Sequence, residues 1–567
     1  MERPEDPRET LARLAKSYWE ERMSNEPLSA TALGDRRFDD RLPDITPEGR
    51  DRVRRQYAEV VRRCEAIPEK GLPAEERLTR TALMVDASAA ADYLSCGLDD
   101  WVVDPLGGPQ VELLNVESYQ PVRTFDEGAS MVRRWQAIGT HLAQHVANLR
   151  AGASARKMAV REEVEKVVDE LADLLAKPDR EWALLRPLST SHDDWTEGQR
   201  REFRAGLEGA VGRQARPAFT GYLEFLKAEI LPRARPGEKA GIMHIPGGKE
   251  AYLKLVRVHT SMDLAAEEVH LTGLKEVERI DGEMERLGKK LFGASRLKET
   301  LDRLRTDPSL YFDSRDEVEE AAESALSRAN AAISKWFGRL PKTPCEVVRM
   351  EEHEEKHSTI AYYRQPAADG SRPGRYYINT SEPRTRPRYE AEALAFHESV
   401  PGHHLQIAIA QELEGIPEFR KNSGVTAFIE GWGLYAERLA DEMGLYSSDL
   451  SRLGILSYDA WRACRLVVDT GMHAMGWSRE RAIRFMTENT ALARNNIVNE
   501  VDRYITWPGQ ALAYKTGQLE ILKLRNESQG RLGPKFDARR FHDSVLGRGA
   551  IPLKALREAV ERDTGGL

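Results

Sequence analysis

The chain has 567 residues, 41% hydrophobic and 31% charged, with a formal net charge of −8, a folded composition too long for a single core. The weakly acidic balance argues against a dedicated nucleic-acid binder, which needs a basic face, and no stretch reaches the ~18 apolar residues of a membrane span. Four scattered cysteines (Cys64, Cys96, Cys345, Cys464) fit neither a disulfide framework nor a Cys-x-x-Cys site and read as reduced thiols of a cytoplasmic protein.

In chain order, Met1 to Pro7 lacks the apolar core of an export signal, which adds to the cytoplasmic expectation. Apolar residues at helical spacing then predict helices over Glu9–Arg22, Arg161–Leu175, Ala265–Leu287, Arg315–Phe337 and Glu480–Leu492. Pro/Gly-rich stretches interrupt at Val103–Pro109 and at Arg235–Gly248. The second separates two long helical blocks and sets the expected boundary between an N-terminal lobe, 1–235, and a second lobe, 236–567.

Between about 345 and 380 the pattern changes. Glu346–Met350, Ser358–Tyr363 and Arg375–Asn379 are rich in β-branched and aromatic residues and read as strands. Asp369-Gly370 and Pro373-Gly374 supply turns, so a small antiparallel sheet is expected just before the chemistry. The fold class is mainly α.

The chemistry begins after Pro387. A helix from Arg388 runs into His397-Glu398-Ser399-Val400-Pro401-Gly402-His403-His404. The H-E-x-x-H motif places two histidines one turn apart so that both reach one zinc ion, with the glutamate as general base. Here the fourth position after His397 is Pro401, which cannot bind a metal. On a straight helix His403 and His404 would stand roughly 9 and 10.5 Å further along the axis, too far to share an ion. Pro401 breaks the hydrogen-bond ladder and Gly402 permits an unusual backbone, so a two-residue bulge is expected to carry His403 back over His397. His404 would then point elsewhere, toward substrate or a supporting partner. A third ligand is expected from Thr426–Glu437, where Glu430 sits among apolar neighbours and a carboxylate without a partner would be costly. Glu437 reads as a salt-bridge partner or as the group that holds an imidazole.

His-Glu-x-x-Pro-Gly-His-His-Leu-Gln followed by Glu-Gly-Trp-x-Leu-Tyr-Ala-Glu resembles the domain-of-unknown-function family 885. The resemblance spans nearly the whole chain, through Ala30–Asp35, Asp39–Pro43, Asp369–Gly374, Arg465–Gly471 and Pro508–Lys515. It implies a presumed zinc metallopeptidase, distantly similar to helical gluzincins of the oligopeptidase and angiotensin-converting-enzyme type. That implies a two-lobed zincin-like helical fold with a central cleft, metal helices at about 388–443, a C-terminal substrate segment at about 460–525, and the pattern H-E-x-x-P-G-H, which favours His403 over His404.

Zinc catalysis also needs a donor for the oxyanion, commonly a tyrosine. Tyr514 is the first candidate, by similarity to the tyrosine-bearing segment of related oligopeptidases, and Tyr504 the second. Arg494, Lys515, Arg465 and Arg462 are candidates for gripping a substrate carboxylate. His473 follows Asp469 by four residues and could be an oriented imidazole. Arg375–Asn379 is nominated as the edge strand that pairs with an extended peptide, with Tyr377 and Asn379 reaching into the cleft.

The expected activity is zinc-dependent hydrolysis of short peptides, with Glu398 as base and His397, His403 and Glu430 on one Zn²⁺. A zinc amidohydrolase or esterase on an acyl-amino acid, or a non-catalytic peptide-binding protein, are the competing readings. No membrane or nucleic-acid partner is expected, and no feature sets an oligomeric state.

Overall fold

The computed structural model describes residues 6–351, 355, 359–367 and 372–565. The chain is mainly helical and forms two compact units, neither continuous in sequence. The first comprises 1–67, 90–252 and 476–480; the second comprises 68–89, 253–475 and 481–567. Among the described residues no helix is long and apolar enough to cross a membrane. All four cysteines are free thiols.

The first unit is an all-helical array. Capping boxes start two of its helices: Thr124 with Glu127 for Phe125–Gln136, and Thr196 with Gln199 for Glu197–Ala210. Their apolar stripes meet those of Ile138–Ser154, Arg161–Ala176 and Arg216–Phe225 around Trp135, Trp182, Leu171 and Phe219, each buried.

The second unit carries the motif. Its elements are α1 (Ala266–Phe292), α2 (Arg315–Ala332), β1 (Cys345–Arg349), β2 (Ala361–Arg364), β3 (Gly374–Ile378), α3 (Arg388–Glu398), α4 (His403–Gln411), α5 (Thr426–Glu442), α6 (Asp449–Met475), α7 (Arg494–Thr506), α8 (Leu512–Leu532) and α9 (Ala538–Leu546). Helix α6 is buried along nearly its whole length, and α1 and α3 pack against it. Helices α5 and α8 touch backbone to backbone: a Cβ on Gly431 would lie 2.5 Å from Cα of Gly517, so only glycines allow this approach. Phe396, Phe428, Trp432 and Tyr435 fill the core between α3, α5 and their neighbours.

The sheet is not the expected antiparallel one. Its order is β1-β3-β2, with β1 parallel and β2 antiparallel to β3. The β2–β3 pair follows from proximity along the chain, whereas no local turn signal reports where β1 docks. Strand β3 is therefore central and both its edges are taken, so it cannot be the peptide-binding edge nominated from the sequence. Pro373-Gly374 leads into β3, and the expected Asp369-Gly370 turn lies outside the described residues.

Candidate metal centre

Helix α3 stops at Glu398, and α4 starts at His403. The bulge expected from Pro401 is thus a full break of four residues between two helices. Ser399 (φ −105°, ψ −114°) and Gly402 (φ −80°, ψ −129°) leave the helical region, and the Val400–Pro401 peptide is cis. A Cβ at Gly402 would lie 1.9 Å from the carbonyl oxygen of His397. The turn is pinned from α5, where Nε1 of Trp432 donates to the carbonyl of Pro401 at 2.9 Å.

This break brings the histidines together. The rings of His397 and His403 lie 4.6 Å apart, nearly perpendicular. Nε2 of His397 and Nε2 of His403 each stand 3.6 Å from the same oxygen, Oε2 of Glu430 on α5. That is beyond hydrogen-bond reach. It is close to the ~3.3 Å that separates two donors on a tetrahedral ion with bonds of about 2.0–2.1 Å. The two nitrogens and the carboxylate oxygen therefore fit a zinc-type donor set.

The set is supported from behind. Nδ1 of His397 donates to Oε1 of Glu437, one turn further from Glu430 and a second along α5, at 2.8 Å. This keeps a proton on Nδ1 and turns Nε2 toward Glu430, so that Nε2 is the nitrogen a metal would meet. Gly433 seats the ring: a Cβ there would lie 2.6 Å from Cε1 of His397. Burial would depress the His397 imidazole, but the Glu430 and Glu437 carboxylates outweigh it and hold it at about 9. Burial would likewise raise Glu430, and the two flanking imidazoles instead keep it well below the usual carboxylate range. Glu398 is half-buried, and one of its oxygens lies within 4.8 Å of a ring nitrogen of each histidine.

The other residues singled out from the sequence fall elsewhere. His404 is buried with Nδ1 bonded to the Tyr363 hydroxyl (2.9 Å) and Nε2 to the carbonyl of Thr343 (3.1 Å). Burial lowers its imidazole to about 4, so it is a neutral tie between α4 and the sheet, not a substrate group. Asn379 is buried and spends its amide on the carbonyls of Glu355 and Thr359 and its oxygen on Ser381. Tyr377 faces away from the core and stacks on Tyr362 at 4.9 Å.

Tyr504 is buried, its hydroxyl donating to Glu500 and accepting from Arg465 and Trp461. It is therefore committed to a structural network rather than free to serve an oxyanion. Tyr514 is half-buried, with the Arg465 guanidinium 4.3 Å from its ring centre. The Arg462 guanidinium lies over the rings of Tyr458 and Trp461. Lys515 is buried, bonded to Asp459 (2.5 Å) and Gln518 (2.8 Å) and paired with Glu276 (3.0 Å), which makes it an internal cation rather than a substrate clamp. His473 is buried, with Nε2 on the carbonyl of Tyr504, and ties α6 to α7. Arg494 is exposed in the first turn of α7.

One residue near the motif was missed. Gly374, Tyr376 and Ile378 form the buried face of β3, and the half-buried Arg375 and Tyr377 lie on the other. A Cβ on Gly374 would meet Nδ1 of His404 at 2.4 Å, so this face looks toward α4. The Tyr376 hydroxyl is pushed well above its ordinary value, first by burial and then by the charge of Glu398. The period-two alternation could have found it, had the parity of the strand been fixed.

The model of a family described as bacterial proteins of unknown function (DUF885) matches residues 27–560. A protein from Colwellia psychrerythraea, described as a candidate lipoprotein, has a crystal structure that matches with a TM-score of 0.92 and 27% identity, over 99% of this chain and 100% of that one. A candidate lipoprotein of unknown function from Shewanella oneidensis matches with a TM-score of 0.76 and 18% identity, over 97% and 99%, which shows a shared fold. No curated protein matches the chain.

Proposed function

Taking as premise that this chain belongs to the DUF885 family, we propose that it is a zinc-dependent hydrolase acting on the peptide bonds of short peptides. The observation that carries the reading is the convergence of His397 Nε2, His403 Nε2 and Glu430 Oε2 from three separate helices, with spacings of 3.6 Å from the carboxylate oxygen.

His397, His403 and Glu430 would hold the ion. Zinc in such a donor set supplies Lewis acidity, polarising a carbonyl and making water acidic near neutral pH. Glu398, beside both histidines, is the base: a carboxylate oxygen takes the proton of the attacking water and returns it to the leaving amine. Glu437 does not meet substrate; it keeps the His397 proton on Nδ1. Tyr514 remains the proposed oxyanion donor from the C-terminal segment, since the Tyr504 hydroxyl is already spent.

The test is metal analysis with peptide hydrolysis for the wild type and Glu398→Gln. One equivalent of zinc in both proteins, with cleavage only by the wild type, is the expected result. Zinc in the wild type with no cleavage across a broad peptide mixture would overturn the peptidase reading.

A cytoplasmic location is proposed from the four scattered free thiols. The lipoprotein description of the two structural relatives points to the cell envelope for those proteins. Cell fractionation decides between the two for this chain.

A further inference from the structure

A cavity of about 30 Å³ lies beside α3, and neither the ligand set nor the general base uses it. Ala391 and Leu394, beside the buried carboxyl of Glu390, form its α3 wall. They precede Glu398 by seven and four residues and so share its face of the helix. Tyr376 and Ile378, from the inward face of β3, supply a second wall, and Phe312 and Tyr458 add to the apolar lining. Leu394 lines the cavity one helical turn before Glu398, which sets the cavity beside the site along α3.

We propose that this cavity is a side-chain subsite, taking a small branched aliphatic group, valine or leucine, of the peptide presented to Glu398. The inference rests on the peptidase reading for the identity of its occupant. The size argument is direct. A water-sized group needs about 10–15 Å³ of such volume, so two or three heavy atoms fit. The isopropyl end of a valine or leucine side chain fills the space, and a phenyl ring does not. Most of the wall is apolar, which rewards that burial, and Glu390, Asn379 and Arg386 are its polar members. Arg386 also lines the cavity, and its Nε has no hydrogen-bond partner among the described residues, which leaves a donor for the occupant's own backbone carbonyl.

The test uses the full chain with labelled methyl groups and a series of N-acetyl amino-acid amides followed by NMR. Valinamide and leucinamide should shift the methyl signals of Ala391, Leu394 and Ile378. Glycinamide and phenylalaninamide should bind at least tenfold more weakly. Leu394→Ala should admit the phenylalanine derivative with at least a tenfold gain, and Ile378→Ala supplies a second enlargement if that variant misfolds. Shifts absent from all three methyl-bearing residues, phenylalaninamide binding the wild type as well as leucinamide, or a ranking unmoved by enlargement would each overturn the subsite. Binding in the expected order with no peptide cleavage would keep the subsite and remove the peptidase reading. Cleavage without that order would do the reverse.

Discussion

Glu437 lies 2.8 Å from Nδ1 of His397 and is itself buried on α5, the helix that also presents Glu430. One helix thus contributes both the carboxylate that meets the Nε2 side of the imidazole and the carboxylate that orients it from behind. Glu437→Gln keeps the volume but not the charge that fixes the ring. Zinc affinity should fall about 10- to 100-fold, as losses of such supporting partners do. Competition against a chelator of known affinity measures it, and a change below twofold would mean the ring is held by packing alone.

Gly433→Ala tests that packing. The new Cβ would stand 2.6 Å from Cε1 of His397, and the ring must move because the clash is with the imidazole itself. Zinc binding is expected to drop further than in Glu437→Gln, with far-UV circular dichroism unchanged. Normal zinc stoichiometry and affinity in this variant would show that the seat is looser than drawn.

Asp459 is the common partner of Lys515, Arg438 and Arg279, and it is almost wholly buried. Asp459→Asn leaves the buried Lys515 and the part-exposed Arg438 and Arg279 without their shared anion and should cost about 3 kcal/mol, as breaking a buried ion pair does. Denaturant unfolding measures this. Lys515→Met should also destabilise, yet leave KM for peptides unchanged well below the unfolding transition. A selective rise in KM would restore Lys515 as a substrate group.

Glu390 is buried at the cavity, accepts a hydrogen bond from Ser457 at 2.7 Å, and is pushed up by burial to about 7. Its carboxyl is raised on folding, so the folded state holds this proton more tightly than the unfolded one. The associated stability is complete below about pH 4.5 and is lost as pH rises through about 7. Relative to Glu390→Gln, the wild type should lose on the order of 2–3 kcal/mol between pH 5 and pH 8. Parallel stability–pH curves for the two proteins would contradict this.

Residue chemistry and spacing made the convergence of His397, His403 and Glu430 legible before any coordinates, because a proline four residues after His397 demanded a break and an acid among apolar residues demanded a partner. Helical periodicity likewise located the starts of α1 and α2 to within a residue. The substrate residues were not legible in the same way. Lys515 was chosen as a cation for a substrate carboxylate, His473 as an imidazole four residues after Asp469 and Asn379 from the strand nearest the motif, yet each is satisfied by a contact that sequence proximity does not disclose: Asp459, the carbonyl of Tyr504 and the carbonyl of Glu355. Tyr377 was a parity error, since alternation names two faces without saying which is inside. The central place of β3 was hidden for a related reason, as the docking of β1 is decided by packing rather than by a turn.

Two histidines on a single helical turn can be poised by a short peptide that merely coils. The break at Ser399–Gly402 denies this chain that local route, because His403 reaches His397 only while Trp432 holds Pro401 and α5 brings up Glu430. Cation capture, as proposed, would be an act of the assembled unit, so a fragment spanning 388–411 should be indifferent to zinc, and loss of a bound ion should be an early sign that the helices have come apart.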